Sequence, residues 1–161
     1  MLNKYIGVRI PEQLPELRWL PIHRVTLTGA YTYSHFVYTK YTSLTYTGNL
    51  IGNDLPNSPR QQASANATFE FGRGWFLGAS SIAYSRAFID PTNKTWIDTY
   101  GLLNARLSKT FERRGFFANL FVECRNLTAK RYIAFTEPDP DGNSYQPGPN
   151  REVFAGMQVR F

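Results

Sequence analysis

Residues 62–71 alternate without a break. Ala63, Ala65, Ala67, Phe69 and Phe71 are apolar, and Gln62, Ser64, Asn66, Thr68 and Glu70 between them are polar. A period of two sends the two sets to opposite sides of a pleated backbone, so the stretch predicts a strand with one apolar and one wet face. The pattern recurs in residues 101–111, where Leu103, Ala105, Leu107 and Phe111 oppose Asn104, Arg106, Ser108 and Thr110. Lys109 falls on the apolar side there, near the strand end, where its stem can snorkel. In residues 116–126, Phe116, Ala118, Leu120, Val122 and Cys124 oppose Asn119, Glu123 and Arg125, with Phe117 and Phe121 among the polar set. Residues 75–86 and the Thr- and Tyr-rich residues 25–38 read as further strands. The final residues alternate to Phe161: Val153, Ala155, Met157, Val159 and Phe161 are apolar, and Glu152, Phe154, Gly156, Gln158 and Arg160 lie between them.

The connections alternate in length. Gly72-Arg73-Gly74 and residues 112–115 are tight, whereas residues 41–60, 87–99 and 128–151 are long and contain prolines. Links of that length are uncommon in compact soluble domains. Short turns at one end and long loops at the other are the pattern of outer-membrane barrels. In lipid every backbone polar group needs a partner, so a sheet persists there only as a closed barrel. The expected fold is therefore all-β: antiparallel up-and-down transmembrane barrel strands, about six to eight of them, forming a partial barrel. Phe69, Phe71, Trp75, Phe111, Phe116 and Phe161 lie near the short-turn ends, where an interfacial aromatic girdle belongs. A soluble β-sandwich or lipocalin-like barrel also alternates, but the three long loops and the alanines on the apolar face favour the membrane. Residues 1–22 are irregular. Ile6, Val8 and Ile10, and then residues 17–20, offer partial strands that Pro11, Pro15 and Pro21 interrupt. The expected division is residues 1–22 as an irregular segment and residues 23–161 as the barrel region.

The remaining signals exclude more than they suggest. The net charge is +6, but the basic residues are scattered and form no nucleic-acid footprint. The single Cys124 rules out an intrachain disulfide. The first residues form no apolar signal-peptide core, and no apolar run approaches a membrane helix. Glu137, Asp139, Asp141 and Gly142 copy the first half of a calcium loop, but Gly148 stands where the bidentate Glu belongs, so an acidic turn is expected. Gly72, Gly74 and Gly78 miss the dinucleotide spacing and read as a hairpin turn. The only histidines are His23 and His35. Ser34 or Ser43 with His35 would suit a hydrolase, but no orienting carboxylate stands at a recognisable spacing. The N-x-[ST] triplets at Asn66, Asn93 and Asn126 matter only in a eukaryotic secretory protein. No enzyme, metal or cofactor is expected.

Four stretches in order resemble the C-terminal portion of TonB-dependent outer-membrane receptors: "TLTGAYTYSHFVY" (from Thr26), "GNDLPNSPRQQA" (from Gly52), "NLTAKRY" (from Asn126) and "PGPNREVFAGMQVRF" (from Pro147). Ala129 stands where that family commonly has an acidic residue. The resemblance implies part of a barrel of roughly 22 strands filled by a plug domain, with the plug absent from this sequence. The loops at residues 42–60, 87–99 and 128–151 would face outside and help capture ligand. The function implied is TonB-dependent uptake of a scarce ligand, foremost a ferric siderophore, across the outer membrane of a Gram-negative cell. The implied partners are outer-membrane lipid, the barrel-assembly machinery, the plug and TonB. Gly156, Val159 and Phe161 resemble the terminal barrel-assembly signal, with Val159 and Phe161 on the lipid face and Phe154 as the departure. Glu70, Arg106, Glu123 and Arg125 point inward, to line the lumen or pair across strands. Two other readings are a self-contained eight-stranded outer-membrane protein (an adhesin or a lipid-modifying enzyme) and a soluble β-barrel binding protein.

Overall fold

The computed structural model describes residues 16–22, 24–40, 48–137 and 142–161. Among these there is no helix. The strands are β1 (Glu16–Ile22), β2 (Val25–Tyr33), β3 (Gln61–Gly72), β4 (Trp75–Tyr84), β5 (Ala87–Phe88), β6 (Trp96–Ile97), β7 (Tyr100–Arg113), β8 (Phe116–Arg125), β9 (Ile133–Glu137), β10 (Ser144–Pro147) and β11 (Glu152–Arg160). Seven of them form one antiparallel sheet in the order β1-β2-β3-β4-β7-β8-β11. The pairs β5–β6 and β9–β10 form small separate hairpins inside the long links.

Turn chemistry pins the register. Arg73 (φ 54°) and Gly74 (φ 76°) are both left-handed. Two such residues make the type I′ turn whose twist matches that of the strands it joins. Gly74 is required a second time: a Cβ there would lie 2.3 Å from the Thr110 carbonyl oxygen on β7. The same approach lets Thr110 N–H donate to the Gly74 carbonyl at 2.8 Å.

With register fixed, each face becomes a continuous row across the sheet. Phe69 pairs with Leu77, Leu77 with Leu107, Leu107 with Val122 and Val122 with Ala155. The opposite face carries Asn66, Ser80 and Asn104 in one row. Its polar groups bond to one another: Asn66 Nδ2 donates to Thr28 Oγ1 at 3.2 Å, Asn104 Nδ2 to Ser80 Oγ at 3.2 Å and Asn119 Nδ2 to Thr110 Oγ1 at 2.8 Å. Glu123 pairs across strands with Arg106 (3.4 Å) and along β8 with Arg125 (2.8 Å), so these three residues pair with one another, whereas Glu70 has no ion pair among the described residues. Lys109 snorkels: its ammonium donates to the Arg73 carbonyl and stands over the Trp75 and Phe111 rings at 5.3 and 5.2 Å.

Several boundaries differ from expectation. The strand expected over residues 25–38 stops at Tyr33. There Ser34 N–H turns to the Arg60 carbonyl (2.9 Å), and Val37 makes only an isolated bridge to Asp54. The strand expected over residues 75–86 ends at Tyr84, and that over 101–111 lengthens to Tyr100–Arg113, shrinking the following turn to Arg114 and Gly115. β8 stops at Arg125 because Asn126 adopts φ 48°, which no strand continues. β1 covers residues 17–20; Ile6, Val8, Ile10, Pro11, Pro15 and His23 lie outside the described residues.

The sheet is a single open layer. Among the described residues, β1 and β11 each pair on one side only, so no barrel closes. Leu77, Leu107, Val122 and Met157 on the apolar face are all exposed. The buried apolar residues Tyr38, Leu50, Ala87 and Ile89 belong instead to the long links; in the sheet only Ala118 is comparably covered.

Candidate ligand-facing loops and the C-terminal strand

The three long links fold onto one another at the end of the sheet opposite the short turns, and Asp54 joins the first to itself and to the second. Arg60 grips the buried Asp54 carboxylate with both Nε (3.0 Å) and a terminal nitrogen (2.8 Å). His35 Nε2 lies 3.1 Å from the same group. The hydrogen bond to Asp54 holds the Arg60 guanidinium above its ordinary pKa, and burial offsets part of that gain. Asp54 N–H donates to Asn93 Oδ1 (2.7 Å), and Asn93 Nδ2 returns a bond to the Asp54 carbonyl (3.0 Å). Asn53 Nδ2 reaches the Pro91 carbonyl at 2.8 Å.

Asp90 organises the second link. Its carboxylate accepts from the backbone N–H and hydroxyl groups of both Thr92 and Thr95. Burial alone would raise its pKa, but these donors favour the charged form more strongly and lower it from 3.8 to about 2. Asn57 ties in the third link by donating from Nδ2 to the Thr136 carbonyl (2.9 Å) and accepting from the Thr136 hydroxyl. Thr136 is wholly buried and Ile89 is 1% exposed, so these loops have a packed interior. Asn57 and Asn93 take left-handed φ of 56° and 57°, a conformation asparagine tolerates better than most residues.

Asn126, in the "NLTAKRY" stretch, closes the base of the third link. Its N–H donates to Asn104 Oδ1 (2.9 Å), and its side chain bonds Lys130 N–H (2.9 Å), the Lys130 carbonyl (2.9 Å) and the Pro149 carbonyl (3.1 Å). A tyrosine ladder rises beside it: Tyr84 to Tyr100 at 5.3 Å and Tyr100 to Tyr132 at 5.0 Å between ring centroids.

Where loops meet sheet, a cleft of about 540 Å³ is lined by Arg60, Gln61, Ser85, Arg86, Asp98 and Thr99, among others. Arg86 lies over the Phe88 and Trp96 rings at 5.7 and 5.3 Å. Among the described residues it has no carboxylate partner, so a planar cation is held by aromatic faces at the rim of the cleft. A neighbouring hollow of about 400 Å³ is lined mainly by apolar groups, including Tyr84, Tyr100, Ile97, Ile133 and Phe135. This combination suits capture of a mixed polar and aromatic solute.

Sequence reasoning identified these links as loops but singled out none of Asp54, Asn57, Arg86 and Asp90. The local signal present is the turn-forming Asp90-Pro91-Thr92-Asn93. It also found no carboxylate for His35; Asp54, nineteen residues away, is one, but Arg60 already holds both of its oxygens. No serine hydroxyl bonds His35 among the described residues, and Ser43 lies outside them, as do Asp139 and Asp141 of the acidic turn. No group of three or more metal-ligating side chains gathers among the described residues.

On β11, Val159 pairs with Ala118 on the apolar face, and the Phe161 ring meets Phe116 at 5.8 Å, still 95% exposed. Gly156 occupies the polar-face row, where a Cβ would come within 2.5 Å of the Phe121 ring. Phe154 shares that face, beneath the Arg125 guanidinium at 4.8 Å.

Residues 8–127 match a family model described as TonB dependent receptor-like, beta-barrel. Among solved structures, the chain resembles BauA, the ferric preacinetobactin receptor from Acinetobacter baumannii, with a TM-score of 0.74, 22% identity and coverage of 90% of this chain and 21% of that one. The siderophore receptor PiuA from the same organism gives 0.72 and 20%, covering 89% and 21%. The ferric yersiniabactin uptake receptor FyuA from Yersinia pestis gives 0.68 and 19%, covering 90% and 22%. At these identities the likeness is one of fold. The chain spans about a fifth of the length of these receptors. A search of curated proteins by sequence finds no match.

Proposed function

The chain belongs to the TonB-dependent receptor-like β-barrel family, and from that premise we propose that it forms barrel wall and outer loops of a receptor that takes up a ferric siderophore. Its strands are outer-membrane barrel strands. The observation that carries the reading is the two-faced sheet with its long links gathered at one end. An apolar face meets lipid, a hydrogen-bonded polar face meets the lumen, and a cleft rimmed by Arg86 faces the outside medium. By their own descriptions, BauA and FyuA are receptors for ferric ligands and PiuA is a siderophore receptor, and this supports the ligand class. In this reading residues 23–161 are the barrel portion, extended by β1 (Glu16–Ile22), which pairs with β2 in the same sheet, and a plug domain and TonB act with it to release ligand inward. Gly156, Val159 and Phe161 present the last strand to the barrel-assembly machinery. The wall itself performs no chemistry; it holds ligand and plug in place.

The test is a chimera in which residues 16–161 replace the matching C-terminal strands of BauA. Heat-modifiable migration reports assembly, and growth on a panel of ferric siderophores under iron restriction reports uptake. The expected result is an assembled barrel that imports at least one iron chelate. An assembled barrel that binds and imports none of them would overturn the iron reading.

A further inference from the structure

The short-turn end of the sheet is basic. Arg24, Arg73, Arg113 and Arg114 lie in or beside its turns and are exposed, and Lys109 stands just above them. None of the five has an ion-pair partner among the described residues. A hollow of about 1050 Å³ lies against this rim. Its walls combine the cations Arg73, Lys109, Arg113 and Arg114 with the apolar Phe116 and Leu120. Two carboxylates, Glu70 and Glu112, also border it, but their register puts them on the polar face, opposite Phe76 and Phe117. Lys109 and Arg113 belong to the apolar face, in the rows of Trp75 and Phe116.

Cations at a strand end, followed along β8 by Phe116, Ala118, Leu120 and Val122, match a molecule with an anionic head and a long apolar tail. A free phosphate would use the first part of that surface and leave the second uncovered. We propose that this rim binds anionic glycerophospholipid, with the head-group phosphate among Arg73, Lys109, Arg113 and Arg114 and the acyl chains along the apolar row of β8. The proposal rests on the reading that the sheet spans the outer membrane with its short turns on the periplasmic side. It adds a lipid class and a leaflet to that reading.

Trp75 is the reporter, since Lys109 stands over its ring. In residues 16–161 carrying Trp19→Phe and Trp96→Phe, Trp75 is the sole indole. This segment is placed in the BauA chimera described above, whose own tryptophans are changed to phenylalanine and whose remaining strands close the barrel. The chimera is reconstituted in phosphatidylcholine bilayers doped with brominated phosphatidylglycerol or, separately, brominated phosphatidylcholine. Half-maximal quenching is expected at a mole fraction of the anionic lipid lower by on the order of tenfold. That preference is expected to vanish in the variant combining Arg73→Gln, Lys109→Gln, Arg113→Gln and Arg114→Gln. It is expected to persist when the three arginines are instead changed to lysine, which preserves charge. Equal quenching by both lipids in the parent chimera would overturn the lipid preference and leave the membrane reading standing. No quenching by either lipid would overturn both.

Discussion

In the sheet, apolar side chains point outward and stay uncovered; in the links at its far end, they point at one another. Leu77, Leu107, Val122 and Met157 lie open on one face of a single layer, whereas Ile89, Tyr38, Leu50 and Ala87 are buried in the links. The wall is held by its backbone ladder and needs a bilayer to cover it. The loops carry their own small interior and a network centred on Asp54, Asp90 and Asn57, and they face water. The contrast teaches that the two regions draw on different solvents for stability, so one can be damaged without the other.

The largest expected effect is in the loops. Ile89→Ala, at a side chain 1% exposed, is expected to cost about 3 kcal/mol locally. Hydrogen exchange in residues 85–97 should speed up by roughly a hundredfold while amides of β3 and β4 keep their protection. Equal acceleration in the sheet would break the separation. Next comes the wall. Ala79→Arg places a charge on the apolar face of β4 and is expected to cost about 2–3 kcal/mol by urea unfolding in lipid vesicles. Thr68→Arg, at an exposed position on the polar face of the neighbouring β3, is expected to change stability by about 0.5 kcal/mol or less. Equal costs would mean that the apolar face does not meet lipid.

The smallest effect concerns acid. The Asp90 carboxyl titrates at about 2 when its four donors are in place, against an ordinary 3.8. A depressed pKa gives stability that is fully present above the ordinary value and is lost as pH falls through the folded one. Exchange protection in residues 90–95 should therefore weaken between about pH 4 and pH 2, by about 2 kcal/mol in all. Asp90→Asn should remove that pH dependence and leave the sheet's acid response unchanged.

The wall was legible in the sequence because a period of two is a local signal. The ten-residue alternation at residues 62–71 sets both faces of β3, and the paired register carries them to β4, β7, β8 and β11. Lys109 was legible too, as an exception near a strand end. The loop network was not, because its bonds join residues far apart: Asn53 to Pro91, Asp54 to Asn93 and Asn57 to Thr136. No periodicity records such contacts, and Asn or Asp in a loop reads the same whether it ties two loops or faces water. For the same reason the strand expected to run to Tyr38 was too long. His35, Val37 and Tyr38 continue a plausible strand, but their partners lie around Asp54, and the contest is decided in three dimensions.

Asn126 has a consequence for engineering. By bonding both Lys130 and Pro149 it fixes the two ends of the third link at one point just past the end of β8. The Gly148 N–H bond to the Tyr132 carbonyl at 2.9 Å repeats the tie one step higher. What lies beyond is a loop whose end-to-end distance is already set. Doubling such a loop adds only about 0.6 kcal/mol of closure entropy. A foreign peptide grafted between residues 137 and 142 would thus be displayed from a fixed anchor, with the strand register beneath it undisturbed.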